Sequence, residues 1–179
     1  IQQFLQTLPF KPTNAQIRVA EEIQQNLAQS YPMLRLVQGD VGSGKTLVAA
    51  IAMLHAVSNG YQAALMAPTD ILAEQHYRNF ANWLEKFDIA IAWLAGKHKG
   101  KIRDQTLSAI KDGTAQIIIG THALFQEQVE FNKLGLIVVD EQHRFGVEQR
   151  SALRQKGYTP HLLAMSATPI PRTLALTLY

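Results

Sequence analysis

The sequence predicts one α/β domain whose mostly parallel sheet has helices on both faces. Two observations lead to this fold class. Short apolar runs alternate with helical patterns along the chain, which is typical of successive βαβ units. A glycine-rich loop between a predicted strand and a predicted helix is typical of P-loop domains, which bind phosphate at this position.

The composition is that of a globular domain. Of the 179 residues, 47% are hydrophobic and 17% are charged. No apolar run approaches the roughly 20 residues of a membrane-spanning helix. The absence of cysteine excludes disulfides and thiolate metal sites, and a net charge of +3 permits nucleic acid as a partner without establishing it. The chain does not start with Met and ends in a helix-like pattern, so we expect a piece of a longer protein.

The first half of the chain predicts two helices and two strands after an irregular opening. Apolar residues recur at helical spacing in the first helix, whereas the strands are short apolar runs. Asn59-Gly60 is a stop signal for the second helix, and Pro68 breaks the second strand. The predicted elements are a helix from its caps Thr13-Asn14 to about Leu27, a strand over 33–38, a helix over Lys45–Ser58 and a strand over 63–67.

The second half continues the alternation. Asp70 is predicted to cap a helix that runs to about Lys86, and Asp112-Gly113 is a turn that ends the next helix. No repeat and no long linker divides the chain, so residues 1–179 are predicted to form a single domain. The remaining predicted elements are a strand over 89–94, a basic loop over 96–101, a helix over 102–111 and strands over 116–119, 136–139 and 162–165.

Residues 39–46 match the phosphate-binding pattern G-x-x-x-x-G-K-[ST] at every fixed position. Glycines let backbone N–H groups turn toward phosphate oxygens, and the following helix N-terminus adds partial positive charge. Lys45 is predicted to contact the β- and γ-phosphates, and the Thr46 hydroxyl to bind Mg²⁺. The predicted triphosphate site comprises Gly39, Asp40, Val41, Gly42, Ser43, Gly44, Lys45 and Thr46.

Two acids follow the predicted strand over 136–139. Ligands of open α/β sheets bind at the carboxyl ends of the strands, which is where Asp140 and Glu141 stand. We expect Asp140 to hold Mg²⁺, directly or through water, and Glu141 to polarise the water that attacks the γ-phosphate. The alternative, that both acids only cap a following helix, would leave the P-loop without a magnesium carboxylate.

Two further motifs resemble those of superfamily 2 helicases. Asp140-Glu141-Gln142-His143 is similar to their second motif, D-E-x-H, and Ser166-Ala167-Thr168 to their third, S-A-T. Transcription-repair coupling factors and replication-restart helicases share the architecture and stay alternatives, although the former usually have D-E-E-Q at the second motif. Within the superfamily, four segments resemble the bacterial helicases that remodel branched DNA: residues 66–69, 120–124, 140–147 and 169–173.

This resemblance implies a fold, cofactors and partners. It implies the first of two RecA-like P-loop NTPase domains, with an arginine finger on a second domain that follows Tyr179. It also implies ATP and Mg²⁺ as cofactors of a helicase in recombination and repair, located in the bacterial cytosol. The implied partners are that second domain and branched double- and single-stranded DNA, bound without sequence preference, but no membrane. No counterpart of the group's wedge domain is recognisable, and the domain alone is expected to hydrolyse ATP feebly.

The resemblance also implies how the adenine base is bound. Gln16 stands where the superfamily places a glutamine that pairs with the adenine edge, and Phe10 would stack on the base. The alternatives are a solvated glutamine on an amphipathic helix and a phenylalanine that anchors the N-terminal segment.

Other residues are implied to link hydrolysis to movement. His143 would communicate with the strand end at residues 166–168, with capping or strand-end hydrogen bonding as the alternative. We hypothesise that Arg144, Phe145 and Arg150 couple the ATP state to DNA or to the second domain, unless Phe145 only packs in the core. The predicted catalytic set is thus Lys45, Asp140, Glu141 and His143, and the predicted coupling set is Gln142, Arg144, Phe145, Arg150, Ser166 and Thr168.

Loops at two strand ends are implied to touch the sugar–phosphate backbone of DNA. Hydroxyls and backbone N–H groups suit phosphate, which carries no sequence information. The basic loop over 96–101 would add electrostatic attraction, although a run of charges is usually only a solvated face. The predicted DNA contacts are Pro68, Thr69, Gly120, Thr121 and His122.

Several remaining residues are interpreted as structural. His55, His76 and His161 lack partners at metal-ligand spacing, and Trp83 and Trp93 are expected to pack in or near the core. Two other function classes fit the P-loop. A small-molecule kinase would need an arginine-rich lid, and a module that only binds nucleotide would have no use for the second acid of the magnesium motif.

Overall fold

The computed structural model describes residues 2–7, 12–28, 34–38, 44–126, 128–140, 151, 153, 155–156 and 158–166. The helices are α1 Gln2–Thr7, α2 Asn14–Leu27, α3 Lys45–Ser58, α4 Asp70–Trp83 and α5 Lys101–Asp112, and a 3₁₀ helix covers His122–Phe125. The strands are β1 Leu34–Gln38, β2 Gln62–Met66, β3 Ile91–Leu94, β4 Ile117–Gly120, β5 Leu134–Asp140 and β6 His161–Ser166. Among the described helices, none is long and apolar enough to cross a membrane.

The six strands form one sheet in the order β1-β6-β5-β2-β4-β3, and every neighbouring pair is parallel. The predicted α/β fold class is therefore confirmed. Because all strands run the same way, their carboxyl ends share one edge of the sheet. At that edge Gln38 pairs with Ser166, Asp140 pairs with Met165, and Gly120 pairs with both Met66 and Leu94.

The core has two layers because side chains alternate along the buried strands. In β2, Ala63 and Leu65 pack on one face with helices α2, α3 and α4, whereas Ala64 and Met66 pack on the other face with Ile110 of α5. Helix α3 is buried at residues 47–54 and 56. Burial of nearly its whole length fixes where the N-terminus of α3 lies.

A buried glutamine joins three segments at the opposite, amino edge of the sheet. Gln62 Nε2 donates to the carbonyl oxygens of Ile110 (2.9 Å) and Ala115 (2.8 Å). Its Oε1 accepts from the backbone N–H groups of Asn132 (2.8 Å) and Lys133 (2.9 Å). One side chain thus makes hydrogen bonds to four backbone groups and replaces the bonds to water that these groups lose on burial.

The opening of the chain is helical, so the predicted irregular opening is wrong for residues 2–7. Helix α1 carries Phe4, which is buried and makes edge-to-face contacts with Trp83 and Phe87 at ring-centroid distances of 6.4 and 6.3 Å. These partners lie about 80 residues away along the chain. Local sequence patterns carry no signal for such a contact.

Most predicted boundaries differ from the structure by one to three residues, and the differences at α4 and β3 are the most informative. Thr69, not Asp70, is the N-cap of α4, because its hydroxyl oxygen accepts from the Leu72 N–H at 3.2 Å. The helix ends at Trp83 rather than near Lys86. Strand β3 begins at Ile91 rather than at residue 89, since the Ala90 N–H is bonded to the side chain of Gln116.

Candidate functional site

Helix α3 begins at the end of the predicted phosphate loop. Its N-cap, Gly44, has φ 83° and ψ 21°, a left-handed conformation that suits glycine. Gly44 has no side chain with which to cap the helix, and the first turn carries no acidic residue. Lys45 and Thr46 are the first two helical residues and are half-buried. Because the first N–H groups of a helix lack intrahelical partners, this N-terminus fits an anion such as phosphate.

Gln16 lies against Gly44. A β-carbon built on Gly44 would stand 1.7 Å from Gln16 Nε2, so the amide fills the space above the glycine. Gln16 is also part of a capping box: its N–H donates to Thr13 Oγ1 (3.1 Å), and its Oε1 accepts from the Thr13 N–H (2.8 Å). The structure therefore brings the predicted adenine-reading residue to the end of the predicted phosphate loop.

Asp140 ends β5, between β6 and β2, at the carboxyl edge of the sheet. Its Oδ2 lies 2.9 Å from His76 Nε2 of α4, and both side chains are largely buried, with 16% and 11% exposed. This contact was missed from the sequence, where His76 was interpreted as structural. The helical spacing of Ala73, His76 and Phe80 indicates one common face of α4, but it does not indicate Asp140 as the partner of His76.

The donors that the structure places at this edge fit Mg²⁺. Magnesium prefers oxygen ligands, usually one or two carboxylates together with water and phosphate oxygens. Asp140 supplies a carboxylate, and Thr46 supplies a hydroxyl at the start of α3. The strands that lead to these two residues, β5 and β1, are separated in the sheet by β6 alone. Among the described residues, no group of three or more His, Cys, Asp or Glu could form another metal site.

Ser166 ends β6 beside Asp140. It is buried, with 7% exposed, and pairs with Gln38 of β1. The predicted coupling residue therefore lies between the strand that precedes the predicted phosphate loop and the strand that carries the predicted magnesium acid. This position is central to the predicted site.

The two predicted DNA-contacting loops are neighbours. Pro68 and Thr69 follow β2, and Thr121 and His122 follow β4, the adjacent strand. The Ala67 N–H donates to the Gly120 carbonyl at 2.8 Å and holds the loops together.

Gly120 and Thr121 determine the shape of these loops. A β-carbon on Gly120 would stand 2.9 Å from the Leu94 carbonyl oxygen, so this position has no room for a side chain. Thr121 caps the 3₁₀ helix through its hydroxyl, with a 3.4 Å hydrogen bond from the Ala123 N–H. Thr69 and His122 are exposed.

An aromatic stack lies under the basic loop that follows β3. Trp93 stacks on Tyr77 of α4 at 5.3 Å and meets His98 edge-to-face at 4.9 Å. Lys97 Nζ lies 5.0 Å from the centre of the Trp93 ring, within reach of a cation–π interaction. Lys97, Lys99 and the first residue of α5 are exposed. The loop thus presents positive charge at the edge strand, while Trp93 is half-buried as expected.

The two remaining histidines that were interpreted as structural lie far from the carboxyl edge of the sheet. His55 and His161 line a cavity of about 600 Å³ at the amino ends of the strands, together with Asn59 and Tyr61. Burial lowers the pKa of both imidazoles below the ordinary value of 6.5. They are consistent with the structural role that the sequence predicted.

The remaining predicted site residues lie outside the described part of the chain. They are Phe10, Gly39, Asp40, Val41, Gly42, Ser43, Glu141, Gln142, His143, Arg144, Phe145, Arg150 and Thr168.

Comparisons with known proteins agree with the motifs. Residues 13–177 match the family profile described as DEAD/DEAH box helicase. The chain is 63% identical to the ATP-dependent DNA helicase RecG of Haemophilus influenzae and 54% identical to that of Bacillus subtilis. The matches cover 99% and 100% of this chain, but 26% of each relative, so the chain spans about a quarter of their length.

A solved structure supports the same assignment of fold. The structure of RecG bound to a three-way DNA junction has a TM-score of 0.88 and 47% sequence identity to this chain. The match covers 99% of this chain and 24% of that one. The RecA-like α/β fold that the sequence predicted is thereby confirmed, as is the similarity to the DNA helicase RecG.

Proposed function

The chain belongs to the DEAD/DEAH box helicase family, and on that premise we propose that it is the ATP-binding motor domain of an ATP-dependent DNA helicase that remodels branched DNA. Residues 1–179 would form the first of two RecA-like domains in a longer bacterial cytosolic protein. The relatives named above are ATP-dependent DNA helicases by name, and the similar solved structure holds a three-way DNA junction. Their greater length leaves room for a second motor domain and a fork-binding domain.

One observation carries the proposal: the start of α3 and the end of β5 lie at the same edge of the sheet. Gly44, Lys45 and Thr46 begin a buried helix whose N-cap is a glycine and whose first turn carries no acid. Asp140 ends a strand that is separated from β1 by one other strand. A triphosphate on the helix N-terminus would then have a carboxylate within the same cleft, which is the arrangement that P-loop NTPases use.

The nucleotide would lie between Gln16 and α3. Gln16 would pair with the adenine edge while its neighbour Gly44 closes the phosphate loop, and Phe10 would stack on the base. Lys45 would neutralise the β- and γ-phosphates together with the loop residues 39–44. The contact between Gln16 and Gly44 supports this placement because it brings the predicted base-reading residue to the end of the predicted phosphate loop.

Thr46 and Asp140 would hold the magnesium ion. When bound, magnesium neutralises charge on the phosphate oxygens during transfer. Glu141, the next residue after β5, would orient the attacking water and accept its proton. His143 and Gln142 would lie one step beyond it, close enough to respond to the γ-phosphate.

DNA would bind across the neighbouring loops after β2 and β4. Pro68, Thr69, Gly120, Thr121 and His122 would contact the sugar–phosphate backbone of one strand, so binding would follow DNA structure rather than sequence. The adjacency of these loops, bonded through Ala67 and Gly120, supports one continuous contact surface. The exposed lysines of the basic loop would attract DNA phosphates at the outer side of this contact surface.

Hydrolysis would be coupled to movement at the interface with the second domain. Ser166 is well placed for this because it ends the strand between β1 and β5. Its proposed partners in coupling are Gln142, Arg144, Phe145, Arg150 and Thr168. Without an arginine finger from the second domain, which can raise the rate by roughly 10³–10⁵ in related NTPases, residues 1–179 alone would hydrolyse ATP slowly and unwind nothing.

A fluorescent ATP analogue distinguishes this function from its rivals. In the intact protein, forked DNA should change the affinity for the analogue, and forks of unrelated sequence should do so equally. A small-molecule kinase or a nucleotide-binding module would bind the analogue with the same affinity at every DNA concentration. That result would overturn the assignment to DNA.

A further inference from the structure

His76 directs its imidazole at the predicted magnesium carboxylate. Its Nε2 lies 2.9 Å from Asp140 Oδ2, and the two residues are 64 positions apart in sequence. The imidazole lies on the buried face of α4, between Ala73 and Phe80. Only 11% of the His76 side chain and 16% of the Asp140 side chain are exposed, so water competes little for this contact.

The chemistry of the contact fixes its direction. An ionised carboxylate only accepts hydrogen bonds, so His76 Nε2 must carry the hydrogen and donate it to Oδ2. A carboxylate has a second oxygen, so this bond is compatible with a magnesium ion, or its water, at Oδ1. The donation would hold the carboxylate plane in one orientation.

A packing role alone does not account for a histidine here. His76 Nδ1 is buried and has no hydrogen-bond partner among the residues that the structure describes. A buried polar atom without a partner destabilises the fold, whereas an apolar residue like its neighbours Ala73 and Phe80 would fill the space without that cost. Among the residues that the structure describes, the polar contact of this imidazole is with the predicted magnesium carboxylate.

We propose that His76 is a positioning residue for Asp140, and that its hydrogen bond orients the carboxylate for magnesium bound with nucleotide. The inference rests on the proposed function, because it assumes that Asp140 serves a nucleotide-bound magnesium. Hydrogen-bonding partners of metal ligands typically change metal affinity by about 10- to 100-fold when they are removed. His76 also lies two helical turns beyond Thr69, so it joins the magnesium site to the helix that starts at the proposed DNA surface.

The test measures magnesium dependence separately from catalysis. Binding of a fluorescent ADP analogue to the intact protein is titrated with MgCl₂ and repeated in EDTA, for the unsubstituted protein and three variants. His76→Leu removes the donor, and His76→Gln keeps an Nε2 donor on a flexible chain. His55→Leu is the matched control, because this histidine lines the cavity at the opposite edge of the sheet.

We expect His76→Leu to raise the magnesium concentration at half-saturation about tenfold, with unchanged affinity in EDTA. His76→Gln should recover most of this loss, and His55→Leu should match the unsubstituted protein. Equal magnesium dependence in His76→Leu and the unsubstituted protein would overturn the inference. So would a loss that His76→Gln does not reduce at all.

Two further measurements keep the outcome interpretable. If thermal denaturation shows that His76→Leu does not fold, His76→Asn replaces it, because the shorter amide does not reach Oδ2. If magnesium leaves nucleotide binding by the unsubstituted protein unchanged, the proposed function itself fails, and the role of His76 fails with it. The His76 inference alone fails if nucleotide binding depends on magnesium and this dependence is the same in His76→Leu and the unsubstituted protein.

Discussion

The side-chain amide of Gln16 occupies the place where a β-carbon on Gly44 would stand, with Nε2 1.7 Å from that position. This relationship ties the first turn of α2 to the first turn of α3, although the residues are 28 positions apart. Gly44 therefore suits this position for two reasons, its left-handed backbone and the space that it leaves for the end of the Gln16 side chain. Two predictions follow from this pair.

Gly44→Ala should impair nucleotide binding more than it impairs folding. The left-handed φ of 83° makes alanine unfavourable by about 1 kcal/mol, and the new methyl group must also displace Gln16. Gly60→Ala is the matched control, since Gly60 has φ 85° but nothing within 4 Å of its β-carbon position. Urea unfolding should show a similar loss for both variants, and a nucleotide titration should show weaker binding for Gly44→Ala alone. Equal nucleotide affinity in the two variants would contradict the role assigned to the Gln16–Gly44 contact.

Gln16→Glu should reduce the preference for ATP over GTP while leaving the fold intact. Glutamate preserves the capping box with Thr13, because its carboxylate accepts from the Thr13 N–H, but it has no N–H to offer the adenine edge. Competition binding with ATP and GTP measures the ratio of affinities, which we expect to fall about tenfold. Gln75→Glu, on the exposed face of α4, serves as the control. An unchanged ratio would mean that Gln16 does not read the base.

Gln62→Leu should destabilise the domain by about 3 kcal/mol, because it leaves two carbonyls and two N–H groups without their buried partner. Gln116→Leu breaks one hydrogen bond, to the exposed Ala90 N–H, and should lower the free energy of unfolding by about 1 kcal/mol or less. Urea denaturation of both variants gives the comparison. If both variants lose a similar amount of unfolding free energy, the four hydrogen bonds of Gln62 are not what stabilises this part of the fold.

Acidification should weaken the fold through His55 and His161. Burial lowers the pKa of each below 6.5, so the unfolded chain binds more protons than the folded chain as pH falls through that value. The stabilisation is complete above about pH 6.5 and is lost as the pH falls toward the folded pKa. The free energy of unfolding should decrease as the pH is lowered from about 7.5 to 5.5. This decrease should be smaller in the double variant His55→Gln/His161→Gln. An equal decline in the double variant and the unsubstituted protein would contradict this account.

Local sequence signals were sufficient for most of the fold. The spacing of apolar residues and the Asn59-Gly60 stop placed α3 at Lys45–Ser58, as observed, because these signals act within a few residues. Strand ends were less certain. Hydrogen bonds from a side chain, such as that of Gln116 to Ala90, decide where the β3 ladder begins.

Contacts between distant segments could not be predicted from the same signals. Phe4 of helix α1 contacts Trp83 and Phe87, and the Asp140 carboxylate contacts His76 from another element. The motif identified Asp140 because a phosphate site needs a magnesium acid. It said nothing about the imidazole, since the pairing arises only when α4 packs beside the end of β5.

The central claim is that branched DNA stimulates ATP hydrolysis at this site. The most direct measurement is the ATPase rate of the intact protein with a three-way junction, with linear duplex of the same base composition and without DNA. We expect the junction to raise the rate most, and Lys45→Ala to abolish hydrolysis under every condition while its thermal unfolding stays unchanged. An ATPase rate that is the same with every DNA structure, or that survives Lys45→Ala, would contradict the account.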